Sequence, residues 1–346
     1  MTGEDDILFE RRGAAGLITL NRPQALNALT HAMVVAMKAQ LDAWAAAPAV
    51  TVVVVHGAGD RAFCAGGAIR AIAESGRAGT PYALDFWRDE YILNAAIKHY
   101  PKPYLALMHG IAMGGGLGVS VHGSYCVADE TTLAAMPETG IGFFPDVGGS
   151  WFLPRCPGEI GMYLALTGAR LKEADALYAG VATHMVRAET GPILVNALAR
   201  GENPAALLSE IEVRPASDAL LAERRAAIDD IFRLPSVEEI LERLDEEGDE
   251  WTETTAAAIR TKSPTSLKIA FREMREGRLL SFDDCMRMEF RIASRILAGH
   301  DFFEGVRAAL VEKDNAPRWR PASLGEVTDE GVAAYFAPLG DKELPL

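Results

Sequence analysis

The run Val50-Thr51-Val52-Val53-Val54-Val55 constrains the fold more than any other segment. All six residues are β-branched, which suits an extended strand and disfavours a helix. A strand with one solvated face alternates apolar and polar residues. This run does not alternate, so it predicts a strand buried on both faces, the usual situation inside a parallel sheet. Parallel strands need crossover connections, and the flanking sequence supplies them. Gly16 to Leu20 reads as a strand that stops at Asn21-Arg22-Pro23, and residues 30–45 have helical spacing, with Met33, Met37 and Leu41 on one face and Thr30 as N-cap. Tyr104 to Met108 and Tyr125 to Ala128 read as further strands. Strand and helix signals that alternate in this way predict an α/β fold.

Beyond Asn203 the strand signals stop and charged amphipathic helices take over. Val237, Leu241 and Leu244 form one apolar face, with Ser236 and Glu239 at capping-box spacing. Ser263-Pro264 places an N-cap and an N1 proline before a helix faced by Leu267, Phe271 and Met274, and Gly277 can close it. The expected division is a core over residues 1–203 and a mainly helical region over 204–346, ending in wrapped coil with short helices.

The formal net charge of −14 over 346 residues argues against a nucleic-acid or anionic-membrane binder, since both need a basic face. The stretch Pro103 to Ala128 carries no Asp, Glu, Lys or Arg, but its two histidines and its five glycines after Ala112 fit a buried strand–loop–helix–strand better than a membrane helix. The acidic start, MTGEDDILFE, does not read as a signal or transit peptide, and the four scattered cysteines need no pairing. The expectation is a cytoplasmic protein.

P-loop, dinucleotide-fingerprint, zincin and nucleophile-elbow motifs are absent, and the seven histidines form no metal-ligand spacing. What remains is glycine turns and carboxylates. One turn, Phe63-Cys64-Ala65-Gly66-Gly67-Ala68, follows the valine strand. The other, Met113-Gly114-Gly115-Gly116-Leu117-Gly118, follows the Tyr104 strand. Two backbone amides from such turns, converging on one oxygen, make an oxyanion hole; the other reading is a pair of tight packing turns. Met136 to Gly149 holds Glu138 and Asp146 among apolar residues in a loop with two prolines and four glycines. Buried acids need partners or a task. Two of them near one pocket can divide acid and base roles; alternatively, Glu138 caps a turn and Asp146 caps a helix starting near Gly148. The pair Asp89-Glu90 reads, on physics alone, as a solvated helix face.

These segments together resemble the crotonase (enoyl-CoA hydratase/isomerase) superfamily. The resemblance is carried by Leu20-Asn21-Arg22-Pro23, Ala25-Leu26-Asn27-Ala28-Leu29, Phe63 to Gly67, His109-Gly110, Gly114-Gly115-Gly116 and Pro137-Glu138. It implies a spiral of ββα turns followed by a helical C-terminal region. It also implies an acyl-CoA substrate and an oxyanion held by the amides of Gly67 and Gly115. Arg88 to Tyr91, Pro137 to Gly149, Ser263 to Lys268 and Gly299 to Ala308 bring the closer resemblance to the superfamily's hydrolases of short 3-hydroxyacyl-CoA thioesters. That resemblance implies hydrolysis of the 3-hydroxyisobutyryl ester of valine degradation, with Glu90, Gly115, Glu138 and Asp146 contacting substrate. It implies no cofactor beyond the CoA of the substrate, no metal, and a homo-oligomer as a common state.

Family hydratases use two glutamates, one of them at the position of Gly118, which can neither accept nor donate a proton. Glu138 matches the second, and Asp146 stands where hydratases commonly have glycine. Ala68 and Gln24 also depart from the family pattern, and Arg70 is a candidate for the CoA phosphates. The expected chemistry is therefore thioester hydrolysis with Glu138 as nucleophile or general base. The alternatives are a hydratase or isomerase with displaced acid–base groups, and a non-catalytic acyl-CoA-binding protein.

Overall fold

A computed structural model describes residues 5–346; residues 1–4, part of the acidic start noted above, lie outside the described residues. The fold is mixed α/β, and the chain divides into two compact units. The first comprises Met1–Ala68, Asp89–Ala135 and Arg170–Ala222, and the second Ile69–Arg88, Met136–Ala169 and Glu223–Leu346.

The first unit holds both sheets. Strands β1 (Ile7–Arg12), β2 (Ala15–Leu20), β3 (Val52–Gly57), β4 (Ala62–Cys64), β5 (Tyr104–Leu107), β6 (Ile111–Met113), β7 (Tyr125–Ala128), β8 (Leu133–Ala135), β9 (Leu171–Lys172) and β10 (His184–Met185) follow in chain order. A six-stranded sheet runs β1-β2-β3-β5-β7-β10, and a four-stranded sheet runs β4-β6-β8-β9. The β1–β2 pair is antiparallel, while β3 is parallel to both neighbours, with Leu17 opposite Val54 and Val54 opposite Leu105. Each of Val52 to Val55 is at most 2% exposed, the two-sided burial that the unbroken apolar run predicts. Val52 and Val54 point into a core with Leu17, Leu105 and Val127, closed by Leu194, Leu198 and Leu208 from helices Gly191–Ala199 and Pro204–Ile211. Gly16 faces the other way, and a Cβ there would lie 2.6 Å from the Trp44 ring of helix His31–Ala46. That helix is capped by Thr30, whose side chain accepts from Met33 N.

The second unit is helical. Ser236 caps Val237–Glu247 and Ser263 caps Pro264–Gly277, as their spacing predicts. Trp87 stacks on Phe143 at 5.2 Å, and Phe302 packs on Phe143 at 5.4 Å. Gly277 lies so close to Ser150 that a Cβ would stand 2.0 Å from the Ser150 carbonyl oxygen.

The compact units do not follow a linear cut between residues 203 and 204. Pro204–Ile211 buries Leu208 in the core of the six-stranded sheet, so it belongs with the strands. Met136–Ala169 packs instead with later helices, as the bond from Ser263 N to Thr139 O at 3.2 Å illustrates. Side chains distant in sequence complete each core, and linear composition does not report this.

Candidate active site

In the first unit the two glycine turns adjoin. Leu29 N donates to Gly66 O and Ala68 N donates to Leu29 O, both at 2.8 Å. Peptide groups alternate sides along an extended ladder, so the N–H of Gly67 points away from Leu29. Gly115 opens the short helix Gly115–Gly118 after Gly114, whose φ is +48°. Leu117 N and Gly118 N both donate to Gly114 O, leaving Gly115 N among the opening amides that have no acceptor inside a helix. A Cβ on Gly115 would stand 3.3 Å from Gly67 N, and one on Gly66 would stand 3.6 Å from Gly115 N. Gly116 is equally tight, since its Cβ would lie 2.2 Å from Cys64 O.

Glu90 projects onto the same turn. It sits on helix Tyr82–Lys98 and is only 2% exposed, and its Oε1 lies 2.6 Å from where a Cβ of Gly115 would stand. The solvated-face reading of Glu90 is therefore corrected: four residues on, Asn94 on the same helix face donates to Gly118 O at 2.9 Å, and that face points inward. Asp89 points elsewhere, into an ion pair with His31.

In the second unit Glu138 opens the 3-10 turn Glu138–Ile141 and is buried, as is Asp146. Burial pushes Glu138 well above the usual carboxylate range, and the negative charges of Asp146 and Glu289 push it further. Its Oε2 has no hydrogen-bond partner. The N-cap of the short helix Gly149–Phe152 is Gly148 and not Asp146, whose backbone carbonyl accepts from Gly149 N at 2.8 Å. Val147 between them is buried with φ +51°, a conformation that β-branched residues rarely adopt.

Two carboxyls of the second unit that are fully buried, at 0% exposure, escaped the sequence reading. Glu289, on helix Phe282–Ile296, accepts from Gly148 N at 2.8 Å, Ser150 N at 3.0 Å and Ser150 Oγ at 2.5 Å. Burial pushes it up to about 8 against these three donors. Glu273, on helix Pro264–Gly277, is fully buried and neither carboxyl oxygen has a partner. Burial first, then the charges of Glu289, Asp146 and Glu138, raise it well above the usual range. The available signal was a glutamate on an otherwise apolar helix face: Glu289 lies between Met286 and Ala293, and Glu273 between Ile269, Ala270 and Met274.

A cavity of about 610 Å³ in the first unit is lined by His56, His109, Arg12, Asp129 and the apolar Leu17 and Val127, and by none of Gly67, Glu90 or Gly115. Among the described residues, no group of three or more His, Cys, Asp or Glu is placed to hold a metal ion, and no helix is long and apolar enough to cross a membrane. Gln24 is exposed on the 3-10 turn Pro23–Ala25, and Arg70 is exposed on helix Ile69–Ala78.

Adjoining glycine turns beside a sheet of crossover strands are the features of an acyl-CoA enzyme of the crotonase class. The chain belongs to the enoyl-CoA hydratase/isomerase family, whose sequence profile matches residues 15–336. It is 47% identical to the 3-hydroxyisobutyryl-CoA hydrolase, mitochondrial, of Gallus gallus over 99% of this chain and 91% of that one. The Homo sapiens protein of the same description is 44% identical over 98% and 90%. Among solved structures, a carnitinyl-CoA dehydratase from Mycobacterium thermoresistibile superposes with a TM-score of 0.94 at 43% identity, covering 99% of this chain and 98% of that one. An enoyl-CoA hydratase from Rhodobacter sphaeroides 2.4.1 superposes with a TM-score of 0.93 at 39% identity, covering 99% and 100%. The cytoplasmic expectation is corrected by the hydrolases, which are described as mitochondrial. That expectation rested on an acidic start and unpaired cysteines, which do not distinguish one reducing compartment from another.

Proposed function

We propose that this chain hydrolyses 3-hydroxyisobutyryl-CoA to 3-hydroxyisobutyrate and CoA. The observation that carries this reading is the buried pair Glu138 and Asp146 in a chain whose glycine turn has Gly118, and no carboxylate, at the position of the family hydratases' other glutamate. Glu138 is retained, its hydratase partner is lost at Gly118, and Asp146 is gained.

In this reading the amides of Gly67 and Gly115 receive the thioester oxygen, and each such donor is worth roughly 3–4 kcal/mol when charge develops on the oxygen. Glu138 in its ionised form takes a proton from water as the water oxygen bonds to the carbonyl carbon. The tetrahedral intermediate collapses, the C–S bond breaks, and the proton passes to the departing thiolate. A carboxyl whose pKa is raised is the stronger base once ionised, and the raised Glu138 fits that task. Asp146 and Glu90 receive the 3-hydroxyl or position the water. No cofactor is needed beyond the CoA of the substrate, and neither nucleic acid nor membrane takes part. A homo-oligomer is part of the reading, and light scattering tests it.

The descriptions of the two solved structures favour a second reading, a hydratase or dehydratase. Gly118 argues against it. The deciding experiment is thiol release from 3-hydroxyisobutyryl-CoA beside hydration of crotonyl-CoA. Fast CoA release with negligible hydration supports the hydrolase, whereas hydration without release overturns it. Oxygen-18 labelling in a single turnover then separates the routes, since solvent label enters the Glu138 carboxylate only if that carboxylate attacks and forms an anhydride.

A further inference from the structure

The loop that bears Asp146 is held by a carboxylate from a distant part of the chain. Within Pro145 to Ser150, Gly149 N donates to Asp146 O at 2.8 Å. Gly148 and Gly149 have no side chains, and Val147 sits at φ +51°, where local sterics oppose it. The amides that open the helix Gly149–Phe152 need an acceptor, because burial removes them from water. Glu289 supplies it. One carboxylate oxygen takes Gly148 N at 2.8 Å, and the other takes Ser150 N at 3.0 Å and Ser150 Oγ at 2.5 Å. Glu289 is 141 residues from Gly148 and fully buried on a helix packed by Phe282, Cys285, Met286 and Phe290. A buried carboxyl is expensive where an apolar side chain would pack equally well. Its three bonds all fall within four residues of Asp146, and the clamp also holds Val147 in its strained conformation.

We propose that Glu289 is the positioning residue of Asp146. It acts as an N-cap supplied from another helix, and it fixes the backbone from which the Asp146 carboxylate reaches substrate. The role rests on the reading of Asp146 as an active-site carboxylate. Glu273 is buried without a hydrogen-bond partner and bonds to no residue of this loop.

The test compares E289Q, D146N, the double variant and S150A in thiol release from 3-hydroxyisobutyryl-CoA, with thermal unfolding of each. E289Q keeps the volume but replaces one accepting oxygen with an NH2 group that faces an N–H. Misplacing a reacting group by about 1 Å costs about 100-fold, so kcat of E289Q is expected to fall about 100-fold with KM within about threefold. The double variant is expected to be no slower than D146N within about threefold, because the two residues act as one unit. A fall equal to the product of the single effects overturns the proposal, as does an E289Q enzyme with wild-type kcat beside an inactive D146N. A D146N enzyme at the wild-type rate overturns the reading of Asp146 itself, and so identifies which of the two failed. If E289Q does not fold, S150A decides the matter. It removes one of three donors and leaves both amides, and a several-fold fall in kcat at unchanged KM is expected. Wild-type kcat in S150A overturns the clamp.

Discussion

Oε1 of Glu90 lies 2.6 Å from the point where a Cβ on Gly115 would stand. No methyl group fits that gap, and the same Cβ would crowd Gly67 N at 3.3 Å. Gly115→Ala must therefore push Glu90 aside and disturb the opening between the two amides. The expected result is a fall in kcat of about 100- to 1,000-fold, the usual effect of losing one oxyanion donor. Steady-state kinetics with thermal unfolding as control check this; an alanine enzyme within about fivefold of wild type would show that the turn is only a packing device.

Glu138→Gln removes the proposed base without changing the volume. Thioester hydrolysis is expected to fall about 100-fold or more, the range of general acid–base catalysis. Burial and the charge of Asp146 hold Glu138 above the usual carboxylate range, so its ionised form is populated only at higher pH. In the free enzyme kcat/KM should rise with pH, through a midpoint above that of an ordinary glutamate. A profile flat down to pH 5 contradicts this assignment.

Glu273 makes a prediction about stability. Its folded pKa lies above the unfolded value, so folding takes up a proton at pH values between the two. The native state then binds more protons than the unfolded one, and this group's contribution to stability falls as pH rises from the unfolded pKa toward the folded one. The slope is about 1.4 kcal/mol per pH unit in that window at most. Glu273→Gln keeps a neutral group of the same shape and removes the slope. It should unfold at higher denaturant concentration than wild type at pH 8, and the two should converge near pH 4. A glutamine variant less stable than wild type at pH 8 would mean that the ionised carboxylate is stabilising after all.

Reagents for thiolates should find nothing to react with in the native protein. Cys64, Cys126, Cys156 and Cys285 are all buried, and burial pushes each thiol up to about 12. Thiolate is the reactive form, so native protein at pH 7 should take up no maleimide within minutes and four equivalents after unfolding, matching its four cysteines. Mass spectrometry reads both numbers. Rapid labelling of native protein would place at least one cysteine in an opening segment.

Short-range signals in the sequence were sufficient for several elements. Four successive valines that admit no polar face require a strand covered on both sides, and Val52 to Val55 are so covered. Thr30, Ser236 and Ser263 announce helix starts because a cap bonds to an amide three residues on, and each does so. Glu138 and Asp146 were visible as acids in an apolar loop, and Gly67 and Gly115 as glycines in turns after strands. Glu90 was legible only through resemblance, since one glutamate on a helix looks alike whether it faces water or a buried turn.

What the tertiary structure alone decided are relationships between residues far apart in the chain. The neighbouring amides of Gly67 and Gly115 come from separate crossover units and meet only when β4 and β6 pair. The reach of Glu289 to Gly148 leaves no periodic trace along the chain, because a hydrogen bond across 141 residues constrains neither local spacing nor local composition. Burial without partners at Glu273 likewise arises from packing against other helices. Local sequence sets backbone preferences and apolar faces, each through interactions within a few residues. The proton affinity of a buried acid depends on everything around it, and that surrounding exists only once the chain has folded.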